Sequence, residues 1–143
     1  MTSDRVLAVR EKVQRYLTDA FGSVEIDKDG DFTFRRGSAR VFIRVSELGP
    51  DKTVVAMWAP TNNDVPASPE LFHYVATNNA YTFGSLVAFE KDAGVNIAFK
   101  HSLLGDTLDP DELVIAAILL SGTADEIDTE VRQRFGGRTF YED

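Results

Sequence analysis

The chain contains no cysteine, which excludes disulfides, thiolate metal sites and a cysteine nucleophile and says little about compartment. Long apolar runs are missing too. The longest, Leu113 to Leu120, is eight residues, against the ~20 needed to cross a bilayer. The start, Met1-Thr2-Ser3-Asp4-Arg5, leads into an amphipathic pattern and lacks the uninterrupted apolar stretch of a signal peptide. A cytoplasmic protein is therefore expected. Positive charge is scarce: 15 Lys and Arg stand against 23 Asp and Glu, a formal net charge of −8. Residues 1–60 hold 10 basic and 9 acidic groups, so residues 61–143 hold the remaining 5 and 14. Most of this surface repels a phosphate backbone, which disfavours nucleic acid as a partner. Neither a G-x-x-x-x-G-K-[ST] nor a G-x-G-x-x-G run occurs, so no nucleotide cofactor is expected.

What is present suits a single domain over residues 1–143, since 43% of the 143 residues are hydrophobic, enough for one sizeable core. Val6, Val9, Val13, Tyr16, Leu17, Ala20 and Phe21 recur at helical spacing, with Ser3 or Thr2 as cap and Gly22 as stop. The period then drops to two. Val24 and Ile26 lead to a two-residue hairpin at Asp29-Gly30, and Phe32 and Phe34 follow. Residues 39–48 alternate, with Val41, Ile43 and Val45 on one face and Arg40, Phe42 and Arg44 on the other. A fourth strand runs from Thr53 to Ala59 and is closed by Pro60, with 61–67 read as a polar loop.

Ser68-Pro69-Glu70 combines a cap, a proline at the first helical position and a first-turn acid. The helix it opens carries Leu71, Phe72, Tyr74, Val75, Ala76 and Tyr81, more than one apolar stripe. A hairpin of residues 85–91 and 95–103 turns at Asp92-Ala93-Gly94, and Asp109-Pro110-Asp111-Glu112 opens a last helix ending at Gly136-Gly137. Ser121-Gly122 marks a kink or a close packing contact within it. The expected fold is α+β in the order α-ββββ-α-ββ-α, an antiparallel sheet packed against helices.

Candidate chemistry is sparse. Asp27-Lys28-Asp29-Gly30-Asp31 has its glycine at the fourth position and Ser38 at the twelfth, which fits a charged turn better than a calcium loop. Asp106, Asp109, Asp111 and Glu112 are read mainly as caps and dipole partners, so no metal is expected. His73 and His101 have no ligand-pair spacing, and Ser102 points to the opposite strand face from His101. No catalytic residue is expected. Arg40, Phe42 and Arg44, with Trp58 on the next strand, form a basic and aromatic ridge suited to a peptide or an acidic partner.

The run Pro69 to Asn79, then Phe83-Gly84-Ser85-Leu86-Val87, Ala93-Gly94-Val95, Leu103-Leu104-Gly105-Asp106-Thr107-Leu108 and Phe135-Gly136-Gly137, resembles the YbjN family, especially its actinobacterial members. The resemblance implies a bacterial sensory-transduction regulator with the type III secretion chaperone-like fold. Those chaperones imply a small acidic homodimer that binds an extended client segment without hydrolysing nucleotide. Taken with the doubly apolar second helix and the polar segment beside Trp58, this leaves two functions to expect. The first is a non-enzymatic, homodimeric, chaperone-like module for an unidentified client protein or peptide. Leu71, Phe72 and Val75 would be its dimer interface, and Arg40, Phe42, Arg44 and Trp58 its partner-binding face. The alternative is a small-molecule binder or an enzyme whose pocket opens beside Trp58 and the 61–67 loop.

Overall fold

A computed structural model describes residues 2–142. Helix α1 (Asp4–Phe21) starts where the Ser3 hydroxyl accepts a hydrogen bond from the Val6 amide, and stops at Gly22. Strands β1 (Glu25–Ile26), β2 (Phe32–Arg36), β3 (Ala39–Leu48) and β4 (Lys52–Val65) follow. Then come α2 (Pro69–Thr77), β5 (Ser85–Lys91), β6 (Gly94–Leu104), α3 (Pro110–Phe135) and β7 (Arg138–Thr139). The strands form one antiparallel sheet in the order β1-β2-β3-β4-β6-β5, with β7 paired to β4 beyond that path. The fold is α+β, as the alternation and the caps imply.

One face of the sheet makes the core. Val41, Ile43 and Val45 from β3, Val55, Met57 and Ala59 from β4, and Ile97 and Phe99 from β6 are all buried. They belong to the same apolar cluster as Val9, Val13 and Leu17 of α1 and Leu113, Ala117, Leu120, Ala124, Ile127 and Val131 of α3. The helices therefore sit on one side, and period-two alternation sends the intervening strand residues to the other. Both proline-initiated helices begin as expected. Ser68 caps α2, and Asp109 with Glu112 forms a reciprocal capping box on α3.

Three local expectations need correction. The fourth strand does not end at Pro60: β4 continues to Val65, so 61–65 is strand rather than loop. Thr61 and Asn62 are fully buried, and part of their polarity is satisfied internally, while Asn62 Oδ1 has no hydrogen-bond partner among the described residues. The Thr61 hydroxyl donates to the Ile97 carbonyl and the Asn62 amide to the Asp128 carbonyl. Register shifts on either side of Asn62 let the strand bend there. The turn at Asp29-Gly30 is longer than two residues, because Ile26 pairs with Phe32. It is organised by the Asp27 carboxylate, which accepts from the Asp29 and Asp31 amides. Helix α2 stops at Thr77, before Tyr81, and the Asn79 side chain then ties the Val75 carbonyl to the Leu86 amide. At Ser121-Gly122 the packing alternative is the one found: α3 runs on unbroken, and the Arg36 guanidinium passes close to Gly122 and donates to the Ile118 carbonyl.

The β2–β3 turn is clamped by α3. The Ser38 amide lies 2.8 Å from Asp125 Oδ1, and its hydroxyl lies 2.6 Å from Asp128 Oδ2 and 2.8 Å from Asp125 Oδ1. Burial pushes the Asp128 carboxyl above its ordinary range, with the Asp125 charge adding to the effect. A folded-state value above the unfolded one favours the protonated fold. That contribution is complete below the unfolded pKa and is lost as pH rises through the folded one. Asp128→Asn is therefore expected to raise the melting temperature by a few degrees at about pH 7, with the gain shrinking toward about pH 4. Asp128→Ala should instead lower stability by about 1 kcal/mol, since Ser38 and Thr129 lose an acceptor. Thermal melts of both variants across that range check the sign.

Candidate functional site

The sheet face opposite the helices is where the aromatic and basic residues gather. Register places Phe42 opposite Trp58 and Arg44 opposite Ala56, and burial of Val41, Ile43, Val55 and Met57 turns these residues outward. The Phe42 and Trp58 rings stack with centroids 5.7 Å apart. The segment after α3 returns across this face. Strand β7 pairs with Asn62 and Asn63, Phe140 meets the Phe42 ring edge-on at 6.0 Å, and Tyr141 stands against Phe140 at 5.0 Å.

Cations frame the aromatic row. The Arg44 guanidinium lies 5.4 Å from the Trp58 ring centre and is held by two 2.7 Å hydrogen bonds to the buried Asp31 carboxylate. That pairing raises the Arg44 pKa, so the charge beside Trp58 is permanent. Arg40 donates to the Tyr141 hydroxyl at 2.7 Å and to the Thr33 hydroxyl at 3.0 Å, while Arg35 stacks over Tyr141 at 4.0 Å. All four sheet residues singled out in the sequence, Arg40, Phe42, Arg44 and Trp58, thus share one outward face.

Next to Trp58 the face dips into a groove of about 540 Å³, lined by Ala56, Pro60, Val87, Phe89, Ala98 and Phe140, with Lys91 and Lys100 at its margin. The β5–β6 half of this groove was missed in the sequence, although the alternation Ser85, Val87, Phe89 and Ala98, Lys100, Ser102 would have disclosed it. Phe140 carried no such signal, since it follows a helix stop. Beside the groove, β5 is a sheet edge. Its Leu86 amide donates away from β6, to Asn79 Oδ1. Strand alternation therefore directs the Ala88 and Glu90 amides outward as well.

Elsewhere, the suggested residues serve the fold. Leu71 and Val75 of α2 are buried in the chain's own core, and Phe72 is half-buried against it, leaving Phe72 the only one of the three with appreciable surface. Tyr74 faces α3: its ring meets Phe135 at 5.5 Å, and its hydroxyl donates to Glu130 at 3.1 Å. Burial and that carboxylate push the Tyr74 hydroxyl up to about 12. The apolar surplus read into α2 is largely taken up by the chain's own core, with α3 meeting it at Tyr74. An exposed apolar stripe lies instead on α3, at Ile115, Ile118 and Leu119.

His73 is exposed on α2, whereas His101 packs edge-on to Phe83 at 5.4 Å, and burial lowers its pKa. Ser102 lines the opposite face and makes no pair with it. The carboxylates of Asp27, Asp29 and Asp31 approach within 4.8 Å of one another, but Arg44 occupies both Asp31 oxygens. Asp106 accepts from the Thr53 amide at 2.8 Å, and Asp109 caps α3. Of the 61–67 segment, expected to border a pocket beside Trp58, Thr61 and Asn62 lie inside the sheet, whereas Asn63 lines the groove next to Trp58.

An aromatic floor, a cationic margin and an adjoining strand edge on an α+β scaffold suit the capture of extended polypeptide, and the class this defines is a peptide-binding domain of the chaperone kind. Residues 8–143 match the model of the TY-Chap1 family, "T3SS (YopN, CesT) and YbjN peptide-binding chaperone 1", and the chain belongs to that family. The resemblance to YbjN proteins is thereby borne out. No curated protein matches the chain. No described helix is long and apolar enough to cross a membrane.

Proposed function

We propose that the chain acts as one domain that holds an extended client segment on the outward sheet face, with Trp58 and Phe42 as the anchor and Arg40 and Arg44 beside it. The observation that carries this reading is the stacked Phe42–Trp58 pair opening onto an apolar groove on a face without helices. The β5 edge beside the groove supplies backbone donors for strand addition. The reading is non-catalytic, cytoplasmic and regulatory: the client is held and its availability altered, with no bond made or broken. Trp58 is the sole tryptophan, so titration with an extended apolar peptide should shift its emission and saturate. Saturable binding that leaves Trp58 emission unchanged would move the site elsewhere.

The same reading includes a homodimer. Ile115, Ile118 and Leu119 support it, since three large apolar side chains at i, i+3 and i+4 are costly to leave in water. Phe72 is the residue of the α2 trio that retains surface for such a contact. Sedimentation at micromolar concentration is expected to give a dimer, and Ile115→Lys with Leu119→Lys to give a folded monomer. A parent protein that sediments as a monomer removes this part of the proposal.

A further inference from the structure

The outward face differs in charge from the rest of the molecule. Along β3, β5, β6 and β4 as far as Pro60, the outward positions include Arg40, Arg44, Lys52, Lys91 and Lys100 and no Asp or Glu. This occurs in a chain of net charge −8, which places eight acids and no Lys or Arg between Gly105 and Glu130. The nearby acids lie off this face: Glu90 and Asp92 flank Lys91 in the chain, Glu90 on the opposite side of β5 and Asp92 in the β5–β6 turn, and three others are engaged by arginines. Glu25 sits 3.8 Å from Arg40, Asp31 holds Arg44, and Asp64 pairs with Arg138 at 2.9 Å. Among the described residues, Lys91 and Lys100 have no carboxylate within ion-pairing distance, and both are exposed.

Resting on the reading of this face as the client site, we infer that the client segment is acidic as well as apolar: an extended stretch in which large apolar residues alternate with Asp or Glu. Apolar side chains fill the groove against Trp58, Val87 and Phe89, while carboxylates meet Lys100 and Lys91 at its margin. Alternation is required because successive side chains of an extended chain point to opposite sides, so one set is buried while the other stays near the rim. The acidic helical side repels such a segment and the sheet face attracts it, which selects the docking orientation. A single-stranded nucleic acid also offers anions and stacking bases. It would carry its dense charge past the acidic α3 surface, and it has no use for the aliphatic floor at Ala56, Val87 and Ala98.

The test uses the full chain and fluorescein-labelled peptides of about ten residues, enough to cross the sheet at ~3.3 Å per residue. The peptides share their Leu and Phe positions and differ only in the intervening residue, Glu, Gln or Lys. Affinity by anisotropy is expected to fall in that order, at least about tenfold from Glu to Lys at low salt, and to converge as salt rises. Lys91→Glu with Lys100→Glu, both at exposed positions, should invert the order. Equal affinity for all three peptides, with Trp58 quenched each time, overturns the acidic client and leaves the face standing as the site. Binding that never perturbs Trp58, or no binding by any peptide, overturns the reading of the face itself. Oligothymidylate binding as tightly as the Glu peptide overturns the choice of a polypeptide client.

Discussion

Trp58→Ala is expected to weaken peptide binding at least about thirtyfold, the loss of roughly 2 kcal/mol that marks a central interface anchor. Trp58 combines what such an anchor needs. It is half-buried, held flat against Phe42 at 5.7 Å, flanked by the Arg44 cation and adjacent to an apolar groove. Its rotamer is thus ordered before the client arrives, and little side-chain entropy remains to be lost on binding. Trp58→Phe should retain most of the affinity, because stacking area survives and only the larger ring is lost. Phe42→Ala should have a smaller effect than Trp58→Ala, acting by loosening the ring it supports. Anisotropy of a labelled peptide gives the affinities, and melting temperatures check the fold, from which Trp58→Ala removes a ring stack worth about 0.5–1.5 kcal/mol. Unchanged affinity in a folded Trp58→Ala variant would remove Trp58 from the site.

The sheet residues of the site were legible because β3 alternates so regularly. Val41, Ile43 and Val45 claim the core, which leaves Arg40, Phe42 and Arg44 for the other face. The starts of α2 and α3 were legible because Ser68-Pro69 and Asp109-Pro110 each satisfy end amides from local residues alone. The extension of β4 was not. Thr61 and Asn62 are polar and read as loop, yet they are buried by bonds to Ile97 and Asp128, far along the chain. Surplus on α2 was misjudged for the same reason. Nothing near Tyr74 in sequence discloses Phe135 and Glu130, which receive it. Likewise β7 is two residues that pair with Asn62 and Asn63, partners that exist because β4 was longer than it looked. Short-range chemistry wrote the caps and the alternation. The groove depends on which distant elements meet: alternation along β5 and β6 discloses which of their residues face outward, but not that Phe140 comes to stand beside them.

The β5 wall is held through its pairing with β6, where Phe99 sits, and replacing Phe99 should give the largest stability loss on the sheet. Phe99 is fully buried in β6, pairs with Ala59 on one side and Leu86 on the other, and meets the Tyr81 ring edge-on at 5.1 Å. Phe99→Ala is expected to cost about 3–5 kcal/mol, a large part of the 5–15 kcal/mol that holds a domain folded. Gly84, immediately before β5, is held at φ of 102°, and a Cβ there would fall onto the Phe99 ring. Gly84→Ala therefore carries two separable costs: roughly 1–2 kcal/mol for a side chain in left-handed backbone, and about 1–3 kcal/mol for overpacking the ring. Shortening residue 99 removes only the second. In a Phe99→Leu background, urea denaturation should show Gly84→Ala costing little more than the backbone contribution, so the two substitutions are less than additive. Strict additivity would mean that backbone conformation alone requires the glycine. Sub-additivity would mean that the Phe99 ring sets where β5 begins, and with it the position of Val87 and Phe89 in the groove.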